Sequence, residues 1–143
     1  MITLEQAEAL AAATLAEGRA VGAAPLTVAV LDAGGHLVVL KRQDGSGILR
    51  PQIASAKAWS ALGMGFSTRE LAERAERQPV FFGALAAVAE GRWAPAPGGV
   101  LVRSAQNGVI GAVGVSGDVS DVDERCALAG VAALDLSTDV GGR

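Results

Sequence analysis

The chain has 143 residues and a mass of 14.3 kDa, half of it hydrophobic and 19% charged, enough for one buried core without disulfide or metal staples. Twelve basic against 15 acidic residues give net −3, which argues against a nucleic-acid or anionic-membrane surface. One cysteine excludes an internal disulfide, one histidine excludes a multi-histidine metal cage, and 3% aromatics leave no stacking platform for single-stranded nucleic acid.

Thr3 and Gln6 have capping-box spacing and open a helix with Leu4, Ala7, Leu10, Ala11 and Leu15 on one face. It runs to about Arg19 or Val21, where Gly22 and Pro25 stop it. Two apolar runs, Leu26 to Leu31 and His36 to Lys41, flank Asp32-Ala-Gly-Gly35 and read as a β-hairpin. Asp44-Gly-Ser-Gly47 then ends the second strand. Pro51 starts a second helix through about Leu62, carrying Ile53, Lys57 and Trp59 and closed by Gly63 and Gly65.

Ser67 and Glu70 cap a third helix to about Glu76, and Pro79 breaks it. Val80 to Ala89 fits either a helix or irregular chain, and Arg92 to Ala94 a short strand. Val100 to Arg103 and Val109 to Val115 form a hairpin about Asn107-Gly108. Ser120 caps a last helix from Asp121 to about Leu136, with Val122, Cys126, Ala129, Ala133 and Leu136 along its seam. The expected order is α-β-β-α-α-β-β-β-α, a single α+β domain over 1–143 with an antiparallel sheet. No leader pattern and no membrane-spanning run stand out, so the expected location is cytoplasmic.

Gly108, Gly111, Gly114 and Gly117 recur through the last strand, where bare backbone admits either a packed helix or a ligand, packing being favoured. Gly114-Val-Ser-Gly117 followed by Asp118 lacks the final glycine of a nucleophile elbow. His36 sits in a hairpin turn, where a solvent-facing ring is the simpler expectation, so no serine has a base. Asp118, Asp121, Asp123 and Glu124 fail the EF-hand pattern and suit a helix N-terminus instead, so no metal site is expected. Cys126 belongs to the apolar seam and is expected to be structural.

Lys57 stands among small and apolar neighbours, so it either snorkels to solvent or projects into a pocket as an anion holder or base. Arg42 with Asp44, and the loop cations Arg50 and Arg103, are further polar candidates. The Pro97-Gly-Gly99 loop offers backbone N–H groups, and Phe81, Phe82 and Trp93 supply nearby apolar bulk.

In combination, segments 28–38, 41–45, 54–58, 97–100 and 109–117 resemble the GlcG/HbpS-like family of haem-binding and haem-degrading proteins, which includes the carboxy-terminal domain of PduO-type proteins. The resemblance runs from about Leu4 to Leu136. It implies a profilin-like or roadblock-like fold with a five-stranded antiparallel sheet, and homo-oligomers from dimers to octamers. It also implies haem or corrinoid binding in some members, commonly through a histidine near the first helix. Here Thr3 to Val21 holds none, leaving Met64 and Cys126 as conceivable substitutes. Segment 78–92 is more apolar than the family pattern.

The resulting expectation is a homo-oligomer with a pocket for a small organic acid or other carboxylate-bearing ligand. Lys57 would be a catalytic base, and Arg42, Asp44, Gly98, Gly99, Phe82 and Trp93 would line the ligand site. The alternative is a haem-binding module without catalysis, with haem its cofactor.

Overall fold

The computed structural model describes residues 1–106 and 108–140. Helix α1 (Leu4–Val21) opens on the Thr3–Gln6 capping box and ends at Gly22, whose φ of 70° is the left-handed stop a glycine accepts at least cost. Strands β1 (Thr27–Asp32) and β2 (Leu37–Arg42) follow, then α2 (Arg50–Met64), α3 (Thr68–Arg77) and α4 (Pro79–Val88). The chain returns to the sheet as β3 (Gly99–Ser104) and β4 (Gly108–Ser116) and finishes in α5 (Ser120–Ala133). Position Asn107 of the expected hairpin turn lies outside the described residues.

The sheet is antiparallel with order β2-β1-β4-β3, so it has four strands rather than the five expected. The missing strand is Arg92 to Ala94, which carries no ladder. Pro95 and Pro97 have no N–H to contribute. The N–H of Ala94 is spent on the Ser60 hydroxyl at 3.1 Å instead. Val80 to Ala89 resolves as a helix, so the observed order is α-β-β-α-α-α-β-β-α. Past α5, which stops short of Leu136, Ser137 pairs with Arg103 through both of its backbone groups and covers part of the β3 edge.

Alternation along the strands builds two cores. Val28, Val30, Val100, Val102, Val113 and Val115 pack with Leu10, Cys126 and Val131 of α1 and α5, while Leu31, Leu101 and Ala112 pack with Ala58 and Ala61 of α2. Each fully buried aliphatic side chain contributes about 1.5–3 kcal/mol. The strand glycines serve this packing. A Cβ on Gly114 would run into the Ala54 carbonyl, and one on Gly111 into the Leu31 carbonyl. Helix α2 therefore lies with its backbone against β4. No helix among the described residues is long and apolar enough to cross a membrane.

Candidate functional site

Lys57 leaves the middle of α2 and is only 3% exposed. Its Nζ donates to the Val115 carbonyl at 2.9 Å and to Asp123 Oδ2 at 3.2 Å, while Asp123 Oδ1 accepts from the Asp118 N–H at 2.9 Å. The pair thus ties α2 to the end of β4 and the first turn of α5. Burial drives both groups toward neutrality. It lowers the Lys57 ammonium from its usual range against the attraction of Asp123, with Arg50 adding to the lowering. It raises the Asp123 carboxyl against the pull of Lys57. Beside this pair, Arg69 holds Glu124 at 2.9 Å and Asp121 at 2.6 Å. Three acidic residues in the first turns of α5 therefore serve as anchors for α2 and α3 as well as partners of the helix dipole. No group of three metal-ligating side chains occurs among the described residues.

Gly98 and Gly99 close over Lys57. A Cβ on Gly98 would sit 2.8 Å from Nζ at a φ of 129°, and one on Gly99 would strike the Lys57 carbonyl. The Gly99 N–H already donates to Thr68 Oγ1 at 2.8 Å, and the Gly98 carbonyl accepts from Val115. The loop expected to offer backbone donors is committed to the fold at these two bonds. Its glycines are there because the chain passes directly over a buried lysine.

Arg50 is near enough for its charge to act on Lys57, while Arg42, Asp44, Phe82 and Trp93 line clefts that Lys57 does not. Arg42, whose Nη1 donates to the Ser46 carbonyl at 2.9 Å, lines an open groove of about 530 Å3 with Asp44, Arg19 and Pro25. Phe82 forms the apolar end of a charged groove of about 360 Å3 between α3 and α4, beside Glu73, Arg74 and Arg77. Trp93 lines a small apolar pocket of about 160 Å3 with Trp59, Met64 and Leu85. Lys57 lines none of these, nor the fourth cleft. Cys126 is fully buried, and desolvation pushes its thiol up to about 11.

That fourth cleft, of about 450 Å3, lies between α2, the bare face of β2 and the chain just after α4. Leu31, Leu37 and Leu40 floor it, Trp59 walls it, and Gln52, Ser55 and Glu90 supply polar groups. The Arg92 guanidinium sits 4.1 Å over the Trp59 ring. Glu90 is 4.0 Å away from Arg92. Sequence reasoning placed Trp59 on α2 but did not single out Arg92, Leu37 or Leu40. Leu37 and Leu40 share a face only because the β1–β2 register shifts between Val30 and Leu31, whereas plain alternation in the sequence sets residues three apart on opposite faces.

Comparison with known proteins gives the class. The family model described as haem-degrading protein HbpS-like matches residues 2–132, and the chain belongs to that family. The solved structure of PduOC in complex with haem is 25% identical, covers 96% of this chain and 97% of its own, and superposes with a TM-score of 0.85. Klebsiella pneumoniae protein ORFY is 28% identical over 94% of this chain and 90% of its own, with a TM-score of 0.85. A double mutant of Streptomyces reticuli HbpS is 31% identical over 93% and 86%, with a TM-score of 0.79. The comparison with curated proteins gives no match.

The family description raises haem, and the side chains can be tested against it. Among the described residues no histidine or cysteine lines these four clefts, and Met64 lines only the smallest of them. The His36 ring is 80% exposed, with Nδ1 3.3 Å from Asp32 Oδ1. A haem ligated from within one of these clefts by an imidazole or thiolate therefore does not fit the described residues.

Proposed function

We propose that the chain is a small-molecule-binding protein whose ligand carries a carboxylate and an apolar body and occupies the cleft between β2 and α2. The observation that carries this reading is Arg92 stacked on Trp59 above a floor of leucines. Such a site combines a planar apolar wall with a guanidinium whose N–H fork matches a carboxylate. Lys57 takes an anchoring role in this reading rather than that of a base, because its Nζ is enclosed and twice hydrogen-bonded. Arg42 and Asp44 mark a second polar groove, which shares no lining residue with the cleft. A homo-oligomer is in keeping with the exposed apolar side of α4, where Val80 is 88% and Val88 76% exposed.

Haem binding is the second reading, supported by the likeness to PduOC, which was solved with haem. It needs a donor from outside the cleft lining, and His36 lies between two lining residues, Gly35 and Leu37.

A thermal-shift screen of aromatic and aliphatic carboxylic acids, run beside a haemin absorbance titration, separates the two. An acid at a hundred times its Kd stabilises the fold by about 2.7 kcal/mol. The first reading expects such stabilisation in the parent protein and its loss in Arg92→Ala. A saturable Soret band lost in His36→Ala supports the second. Neither response overturns both.

A further inference from the structure

Two side chains of opposite charge border the cleft between β2 and α2. Glu90 and Arg92 both line it, with Arg92 Nη2 4.0 Å from Glu90 Oε2. The backbone sets them there. Glu90 has a φ of 55° and Gly91 one of 82°, so the chain doubles back after α4 through two left-handed residues in succession. That conformation is uncommon for a residue with a long side chain, and here residues 90–92 all line the cleft. The rest of the lining is uncharged: Gln52 and Ser55 are neutral, and the leucines and Trp59 are apolar. The lining therefore carries one charge of each sign and a net charge of zero.

A simple carboxylic acid matches such a rim incompletely. Its anion would take the Arg92 fork and meet the Glu90 carboxylate beside it, and like charges at that range repel. A ligand with an ammonium next to its carboxylate leaves neither side chain opposed. We infer that the ligand of this cleft is an α-amino acid with an apolar side chain, bound as the zwitterion. The inference rests on the reading that the cleft takes a carboxylate and narrows it to one class. An α-amino acid carries its two charges on adjacent carbons, a separation that suits rim groups 4.0 Å apart. Its carboxylate would lie on Arg92 and its ammonium on Glu90, so that four charges of alternating sign close a ring. Its side chain would rest on Leu37 and Leu40 against the Trp59 wall, and the cleft of about 450 Å3 has room for one the size of leucine or phenylalanine.

Titration calorimetry of the full protein at neutral pH compares three probes of like shape: phenylalanine, 3-phenylpropanoate without the ammonium, and 2-phenylethylamine without the carboxylate. Phenylalanine is expected to bind about fivefold more tightly than either of the others, the size of one exposed ion pair. Glu90→Gln keeps the shape of the side chain and removes its charge. It should weaken phenylalanine about fivefold and strengthen 3-phenylpropanoate, so that the order of the two reverses. A merely structural role for Glu90 would move both ligands alike, and that result overturns the inference. Equal or tighter binding of 3-phenylpropanoate by the parent protein overturns the zwitterion and leaves the carboxylate reading standing. Equal binding of 2-phenylethylamine makes the ligand carboxylate idle and overturns both. No binding of any of the three overturns the amino acid as ligand, while the acid screen still decides the carboxylate reading.

Discussion

Lys57 and Asp123 provide a sharp test of what the buried polar groups do. Replacing Lys57 by Met strands the Asp123 carboxylate with only the Asp118 N–H, and replacing Asp123 by Leu strands the ammonium with only the Val115 carbonyl. Breaking a buried pair from one side costs about 3–5 kcal/mol. At this chain length that corresponds to a fall in Tm of roughly 10–20 °C. The double variant Lys57→Met/Asp123→Leu removes both charges and leaves two backbone groups unpaired, at about 1–3 kcal/mol each. Its loss should therefore fall short of the summed single losses by about 2 kcal/mol or more. Urea unfolding followed by far-UV circular dichroism measures all four corners of the cycle. In Asp123→Leu the lowering of Lys57 loses its main opponent. The unfolded chain then binds more protons than the folded one between the depressed value and the usual 10.5, so stability rises with pH through that window. Additive losses would refute the pairing. A stable Lys57→Met protein that has lost its acid ligand would return Lys57 to the binding site.

Gly114→Ala sets a Cβ against the Ala54 carbonyl and should force α2 off the sheet at a cost of about 1–3 kcal/mol or more, read as a lower urea midpoint. The backbone N–H of His36 holds the Asp32 carboxyl below its ordinary value, with help from the Gly34 N–H and the His36 ring. Its stabilisation is present above the unfolded value of 3.8 and lost as pH falls through the lower folded value, so Asp32→Ala should flatten that part of the acid-unfolding curve. Cys126, buried and raised to about 11, should resist thiol reagents at pH 8 in the native protein and react with one equivalent in denaturant.

Local chemistry was the legible part of the sequence. The Thr3–Gln6 box, the Ser67 cap on the Glu70 N–H and the left-handed Gly65 all act where their spacing put them. The family, too, could be read from ordered short segments. What failed was segment 92–94, taken for a strand because its side chains suit one, although the prolines at 95 and 97 leave a ladder few donors. The candidate site was hidden for a different reason. Trp59 and Arg92 meet only because α4 and its turn, with Glu90 at a φ of 55°, fold the chain back over α2. Lys57 could be narrowed to two outcomes, and Asp123 was read through its own helix alone. Only tertiary contact shows that they answer each other.

The same packing that buries Lys57 opens the cleft. Gly114 and Gly99 let α2 settle onto β4 and β3 at backbone distance, which leaves no room between helix and sheet for a ligand at that end. A helix so placed covers β1, β3 and β4 and scarcely reaches the edge strand β2. Leu37 and Leu40 are left bare on the α2 side, with Trp59 overhanging them. Small residues under the centre of α2 and a large one at its flank thus move the available volume from Lys57, where the sequence suggested it, to Arg92. A bulkier residue at Gly114 should therefore disturb the Arg92 cleft together with the Lys57 tie, whereas Arg92→Ala should leave that tie and the fold intact.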